Sequence, residues 1–298
     1  MRKILTGTVL SAAVVALSGC GEFGGGASYP VGATPAAGDI LLADSDAAAD
    51  SDAAAASSAG TVGDDSATAG TQQTAGQGFI FKGKVVVDAP FGGLPLLHKA
   101  GDAVKDAEAC AINDVPDERL VVGAGNGLAN CFVYLVKAPK EIDIPAASEQ
   151  ALTVDQVSCR FIPHCMVVQA GQPVRVLSDD SVPHNAHIYA KKNREVNAVV
   201  QPKDRTGLEV NYARAEVEPV KVACDFHTWM AGWHLPLDHP FGAVTGPDGQ
   251  FEFPHALPSG EYEFKVWHEV GGTLERKLKL TVDGSDATIT VKLSDVTP

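Results

Sequence analysis

The chain has 298 residues, 45% of them hydrophobic, and its 37 acidic side chains outnumber its 23 basic ones, which gives a formal net charge of -14. A charge of this sign argues against nucleic-acid binding and against adsorption to anionic lipid through a basic patch. The length leaves room for a leader, a linker and one or two globular domains.

The first twenty residues have the pattern of an export signal. A basic start at Met1 precedes an apolar run from Leu5 to Leu17, too short to span a bilayer, and the small residues after it end at Cys20. This segment resembles a bacterial lipoprotein signal, which implies lipidation of Cys20 and anchoring at the cell envelope by acyl chains only. Gly21 in place of an Asp suggests the outer membrane of a bacterium with two membranes. An ordinary secretory peptide is the alternative.

Residues 21–77 predict a disordered tether. They consist mainly of Ala, Gly, Ser, Thr and Asp and contain no Lys or Arg. Such a segment cannot bury enough apolar surface to offset the entropy lost on ordering. We therefore expect an acidic linker between the anchor and a folded region that begins near Gly78.

From Gly78 onward the sequence predicts an all-β protein. Short apolar and β-branched runs alternate with Gly, Pro and Asp, and no long stretch has helical periodicity. The predicted strands are Phe79–Val87, Cys131–Val136, Met166–Val168, Pro173–Leu177, Val220–Cys224, Phe251–Phe253, Tyr262–Trp267, Lys277–Val282 and Ala287–Leu293.

One short stretch concentrates ligands for a soft metal ion. Cys224, His227 and Met230 lie within seven residues at the end of a predicted strand, where one tight loop can turn all three side chains inward. A second imidazole, His184, follows Pro183 upstream. Two imidazoles, one thiolate and one thioether form the ligand set of a blue-copper electron-transfer site.

These residues resemble the cupredoxin family, in particular the sites of plastocyanin and amicyanin. The resemblance covers roughly residues 152 to 238 and implies a Greek-key β-sandwich that binds one type 1 copper ion. It makes His184, Cys224 and His227 the equatorial ligands and Met230 the axial ligand. It also makes Asn185 a brace between the two ligand loops.

His187 competes with His184 for the upstream ligand position. Residues three apart in an extended segment point to opposite faces, so only one of the two can face the metal, and we expect it to be His184. By family analogy the edge of His227 is the exit for the electron, within an apolar docking patch. The apolar residues expected to keep water from the copper are Phe226, Trp229 and Trp233.

The C-terminal part has a second pattern. Val244–Phe253 and Leu257–Val266 combine Asp-Gly and Pro-Ser-Gly turns with two-residue periodicity. They resemble the carboxypeptidase regulatory-like, transthyretin-like β-sandwich, whose opening Gly-x-Val matches Gly83-Lys-Val85. Two arrangements stay open: residues 78–150 and 240–298 form one sandwich with the cupredoxin-like domain 151–239 inserted, or 78–150 extends the cupredoxin-like domain and 240–298 follows it.

The cysteines give separate support for the metal site. Apart from the lipidated one, five cysteines remain in a compartment where thiols oxidise. Four of them allow three disulfide connectivities, and we favour Cys110 with Cys159 and Cys131 with Cys165. Cys224 is then unpaired, either as a copper ligand or as a free reactive thiol.

The resemblance implies a non-enzymatic carrier of single electrons at the cell envelope. Its partner is expected to be a cytochrome or another copper protein, with no nucleic acid and no membrane contact beyond the lipid anchor. The chain has no His-x-His pair of the kind that holds further copper ions in copper oxidases. The alternative is an envelope module that binds glycan or protein, with a structural or storage metal.

Overall fold

A computed structural model describes residues 78–298 of the protein. Within this range nearly all regular structure is β, which confirms the predicted all-β class. The predicted signal peptide 1–20 with its lipidation site Cys20, and the predicted linker 21–77, lie outside the described residues. No helix between residues 78 and 298 has the length and apolar character needed to cross a bilayer.

The described residues form sixteen strands and few helical turns. A short helix, α1, spans Ala107–Cys110, and 3-10 turns span Ala124–Asn126 and Leu293–Asp295. The strands are β1 (Phe79–Val87), β2 (Phe132–Leu135), β3 (Leu152–Gln156), β4 (Phe161–Ile162), β5 (Cys165–Gln169), β6 (Pro173–Ser178), β7 (His184–Ile188), β8 (Val196–Val200), β9 (Leu208–Asn211), β10 (Val220–Ala223), β11 (Ala231–Leu237), β12 (Gly242–Val244), β13 (Gln250–Leu257), β14 (Gly260–His268), β15 (Gly272–Val282) and β16 (Ala287–Val291).

The first and last parts of this range build one β-sandwich, called here the outer sandwich. One sheet has the strand order β13-β1-β16 and the other β12-β2-β14-β15. Apolar side chains from both sheets, such as Phe81, Phe253 and Phe264, share one buried core. In this sandwich β1 and β2 come from residues 78–150, and the other strands come from residues 242–291.

Two glycines of the sequence patterns described above stand at positions where a larger residue would not fit or would be strained. A Cβ on Gly83 would lie 2.2 Å from the carbonyl oxygen of Ala287, so only glycine allows β1 to approach β16 this closely. Gly249 ends the Asp-Gly turn before β13 and has φ of +79°, a conformation in which glycine is strongly preferred.

Residues 152–237 build a second sandwich, called here the inner sandwich. In the sequence it lies between the two parts that form the outer sandwich. Its sheets have the orders β4-β3-β6-β9 and β5-β11-β10-β7-β8. Both sheets contribute to one core, which includes Val154 and Val176 from the first and Ile188 and Val222 from the second. Alternation along β6 and β10 turns every second side chain into this core.

The two sandwiches are packed against each other through a third apolar cluster. It contains Phe132 and Trp267 of the outer sandwich and Leu235 and Leu237 of the inner one. Glu269 adds polar contacts across the same boundary, to His164 and to the indole nitrogen of Trp233. The inner sandwich is therefore fixed to its host by both apolar packing and hydrogen bonds.

Residues 88–130 depart from the predicted β region. They form no strand and follow an irregular path with the four-residue helix α1 in its middle. Ala109 and Cys110 of this helix are buried in the core of the inner sandwich. Leu120 and Leu128, in contrast, are buried in the core of the outer sandwich. The segment is therefore shared: its middle packs against the inner sandwich and its end against the outer one.

The cysteine pairing differs in part from the prediction. A disulfide joins Cys110 to Cys159 and so attaches α1 to the inner sandwich. The predicted bond between Cys131 and Cys165 is wrong, because both are free buried thiols. Cys131 leads into the outer sandwich and Cys165 starts a strand of the inner one, with its sulfur 3.7 Å from the carbonyl oxygen of Asn130. Burial raises the pKa of both thiols.

A buried histidine makes the stability of the inner sandwich dependent on pH. His234 of β11 is 2% exposed, and its Nδ1 lies 2.8 Å from the hydroxyl of Tyr212. Burial lowers the pKa of His234 to about 4, whereas an unfolded histidine titrates near 6.5. The unfolded chain therefore binds a proton first as the pH falls.

We predict that the free energy of unfolding falls by about 3 kcal/mol between pH 7 and pH 4 through His234 alone. Denaturant unfolding of the wild type and of His234→Gln across this range measures the contribution. The variant should lose that part of the pH dependence, while His255→Gln at an exposed position of β13 should keep it. Identical pH profiles for wild type and His234→Gln would contradict the assignment.

Candidate metal centre

The loop between β10 and β11 carries three of the predicted ligands. Cys224 directly follows β10, and Met230 directly precedes β11. The Cys224 amide donates to the carbonyl oxygen of Met230 at 3.2 Å, and the Met230 amide donates to that of His227 at 2.9 Å. Because the paired strands hold both ends, the loop closes into one turn that places all three residues in the interior.

The fourth predicted ligand reaches the same place from a neighbouring strand. His184 begins β7, which pairs with β10 and brings the two ligand segments side by side. Its Nδ1 lies 2.9 Å from Nδ1 of His227 and 3.9 Å from Sγ of Cys224. Sγ of Cys224 lies 3.8 Å from Nδ1 of His227, so the three atoms form a triangle. His184 and His227 are completely buried, and Cys224 is 1% exposed.

This triangle fits a trigonal metal ion. Bonds of about 2.0 Å to nitrogen and about 2.3 Å to sulfur place trigonal ligands about 3.5 to 3.7 Å apart. The sulfur-to-nitrogen distances in the protein are close to this value, and the two nitrogens need to separate by roughly half an ångström. Met230, with 1% exposure, belongs to the same buried cluster as Cys224 and supplies a thioether from the loop.

The electrostatics favour a thiolate. Burial opposes ionisation of Cys224, but contacts from His184 and His227 outweigh it and lower the pKa of this thiol to about 6. Burial likewise opposes protonation of His184, but Asp180 and Cys224 raise its pKa to about 9. Since the thiolate is the form that binds a metal, the site stabilises the charge that the ion requires.

Each ligand histidine is bound at its far nitrogen by a carboxylate. Asp180 lies 2.8 Å from Nε2 of His184 and also accepts the backbone amides of Ser158 and Cys159. Asp106 lies 2.9 Å from Nε2 of His227. A proton on Nε2 leaves Nδ1 free for a metal, so the two carboxylates select the ligand tautomer.

Asn185 bridges the two ligand segments. Its side-chain oxygen accepts the backbone amide of Asp225 at 2.6 Å, and its amide group donates to the Asp225 carboxylate at 2.9 Å. His187 points away from the triangle and contacts Asp225 and Glu195 at the surface. The strand alternation thus turns His184 inward and His187 outward.

The prediction that electrons leave through an exposed edge of His227 is wrong, because that residue has no solvent-exposed surface. Residues 98–110, called here the strap, cover it. Phe226, predicted to exclude water from the site, lies under the strap, with Nζ of Lys105 5.1 Å from its ring centre. Trp229 is half-buried, with its ring centre 5.3 Å from that of His227.

Two further groupings of potential ligands lie next to the triangle. Cys110, Cys159 and His227 form one, and Cys159, Asp180 and His184 form the other, each with ligand atoms within 4.8 Å of one another. Both include sulfur of the Cys110–Cys159 disulfide, which is no thiolate ligand. Among residues 78–298, the group of His184, Cys224 and His227 is therefore the one that offers a thiolate.

Sequence reasoning missed the two carboxylates. Asp180 lies four residues before His184, and that short spacing is a signal that could have been used. Asp106 lies 121 residues before His227, in a segment without periodicity, and no local pattern points to it.

No protein-family model and no curated protein matches the chain. Among solved structures, a purple cupredoxin from Nitrosopumilus maritimus is 20% identical over 28% of this chain and 98% of that one, with a TM-score of 0.24. An amicyanin variant in its reduced state is 20% identical over 32% of this chain and 96% of that one, with a TM-score of 0.26. A Cu-containing nitrite reductase from Thermus scotoductus SA-01 is 14% identical over 33% of this chain and 25% of that one, with a TM-score of 0.27.

We predict that Asn185→Ala lowers the free energy of unfolding by about 1–3 kcal/mol, because it leaves the backbone amide of Asp225 without its acceptor. Copper affinity should fall about 10- to 100-fold, since the ligand loops lose their bridge. Denaturant unfolding and competition with a copper chelator measure the two effects. Asn211→Ala, which removes an exposed contact to Glu209 in β9, is the matched control and should change neither.

Proposed function

We propose that the protein binds one type 1 copper ion through His184, Cys224, His227 and Met230 and carries single electrons. The observation that supports this most directly is the buried triangle of two Nδ1 atoms and one thiol with a lowered pKa. Two imidazoles, a thiolate and a loop thioether form the donor set that suits both oxidation states of copper.

Bound copper would alternate between Cu(I) and Cu(II), which transfers one electron at a time. The residues of the chain would keep its surroundings constant during that change. The β7–β10 pairing and the Asn185 bridge fix the distance between His184 and Cys224, and the hydrogen bonds of the loop fix Met230. The buried core around the ligands excludes water, so little has to reorganise when the charge changes.

The proposal includes a setting and a partner. We infer a non-catalytic carrier, held at the cell envelope through a lipid on Cys20, that exchanges electrons with a cytochrome or another copper protein. The Cys110–Cys159 disulfide supports an oxidising compartment. The absence of His-x-His pairs in the sequence supports a single copper centre.

A second function is favoured by one observation. The complete burial of His227 hinders close approach of a partner to a ligand. A structural or storage copper in a module that binds glycan or protein would need no such approach. Electron exchange, not copper binding, therefore separates the two functions.

We predict that Cu(II) added to the purified protein produces intense thiolate-to-copper absorption near the red end of the visible spectrum. Cys224→Ser should abolish this absorption, because it removes the only sulfur in the ligand plane. His187→Ala should retain it, since that ring contacts Asp225 and Glu195 at the surface. A colourless wild type that binds zinc equally well would contradict a blue-copper site.

We predict that the coloured protein is reduced and reoxidised reversibly by a cytochrome in stopped-flow absorption measurements. The same cycle with Cys224→Ser should give no change in the cytochrome spectrum. A wild type that is coloured but exchanges electrons with neither a cytochrome nor a second copper protein would favour the storage or structural function.

A further inference from the structure

The strap is attached to the metal loop at several points. The ring of His98 lies against that of Trp229, with 4.4 Å between centres. Nζ of Lys105 donates to the carbonyl oxygen of Phe226 at 3.3 Å. The disulfide at Cys110 fixes the end of the strap to the inner sandwich, directly behind the buried ligands.

Asp106 has an uncommon backbone conformation in this strap. It is the N-cap residue of α1, yet its φ of +52° and ψ of +46° lie in the left-handed region, which non-glycine residues seldom adopt. Its side chain makes no capping hydrogen bond to the helix, although an aspartate at an N-cap usually does. The carboxylate turns instead to Nε2 of His227, at 2.9 Å. The left-handed backbone therefore coincides with a carboxylate that contacts the candidate ligand and not its own helix.

We propose that Asp106 is a positioning residue of the copper centre, which holds the His227 ring and its tautomer and biases the bound ion towards Cu(II). This inference rests on the proposed copper function. It makes the strap part of the centre, although the side chain of Asp106 is 31% exposed.

Three physical effects support this role. Asp106 accepts the proton on Nε2, which keeps Nδ1 unprotonated towards the metal. The hydrogen bond to a carboxylate makes the imidazole a stronger electron donor. The negative charge lies one ring away from the ion in a buried site, where it stabilises the higher charge of Cu(II) more than that of Cu(I).

A purely structural role makes a different prediction. If Asp106 only fastens the strap, its loss should reduce stability and affect both oxidation states of copper equally. If it acts through His227, its loss should weaken Cu(II) binding more than Cu(I) binding, so the reduction potential rises. The potential therefore distinguishes the two roles.

The test uses the full chain and three substitutions at Asp106. Asp106→Ala removes the hydrogen bond and the charge, Asp106→Asn keeps an acceptor and removes the charge, and Asp106→Glu restores both. Asp102→Asn removes the same charge from the strap at an exposed residue whose carboxylate accepts only the amide of Lys99. It is the matched control.

We expect Asp106→Ala to lower Cu(II) affinity about 10- to 100-fold, with a smaller loss for Cu(I). Each tenfold loss of Cu(II) relative to Cu(I) affinity raises the potential by about 59 mV. Asp106→Asn should show a smaller rise, and Asp106→Glu should return towards the wild type. Equal potentials for Asp106→Ala, Asp102→Asn and the wild type would overturn the proposal.

The metal-free protein gives a second readout that does not depend on copper. Long-range proton–nitrogen correlation spectra should place the His227 proton on Nε2 in the wild type and distribute it between both nitrogens in Asp106→Ala. If the wild type binds no copper, the proposed function fails, and this spectrum alone decides whether Asp106 positions the ring. An unchanged His227 spectrum in Asp106→Ala would refute the positioning role.

Discussion

The buried thiol of Cys224 is the constraint on which the rest of this structure depends. A thiolate in an apolar core is stable only with nearby donors, and His184 and His227 provide them. Those two rings are buried as well and need partners of their own, which are Asp180 and Asp106. The result is a continuous polar network from carboxylate to carboxylate through the core, and the network is satisfied only when both loops and the strap are in place.

This network also explains why the irregular segment packs where it does. The strands before and after residues 88–130 belong to the outer sandwich, and so does the core position of Leu128, yet Ala109 and Cys110 between them are buried in the inner one. Its disulfide, its contact with Phe226 and its carboxylate all end at the metal loop or directly behind it. The inner sandwich supplies all four candidate metal ligands. The strap, which precedes this sandwich in the sequence, covers them.

The sequence was sufficient for features that depend on local periodicity and short spacing. Alternating strands such as β1 and β14, the ligand loop after β10 and the inward direction of His184 follow from patterns of a few residues. Strand β11 was missed because its Gly232 and Pro236 resemble loop residues, although it lies between β5 and β10 in its sheet. Asp106 and the free state of Cys131 and Cys165 depend on contacts between distant segments. Such contacts leave no local trace in a single sequence.

The way the inner sandwich is inserted has a mechanical consequence. The chain leaves the outer sandwich after β2 and returns at β12, and these two strands pair directly, with Tyr134 opposite Gly242. Tension along the chain would therefore pass across this ladder and bypass the candidate metal ligands. The parallel pair of β1 and β16 would resist it in shear, where many hydrogen bonds must break together. Force applied at the two ends of residues 78–298 would thus load the outer sandwich first and leave the interior of the inner one undisturbed.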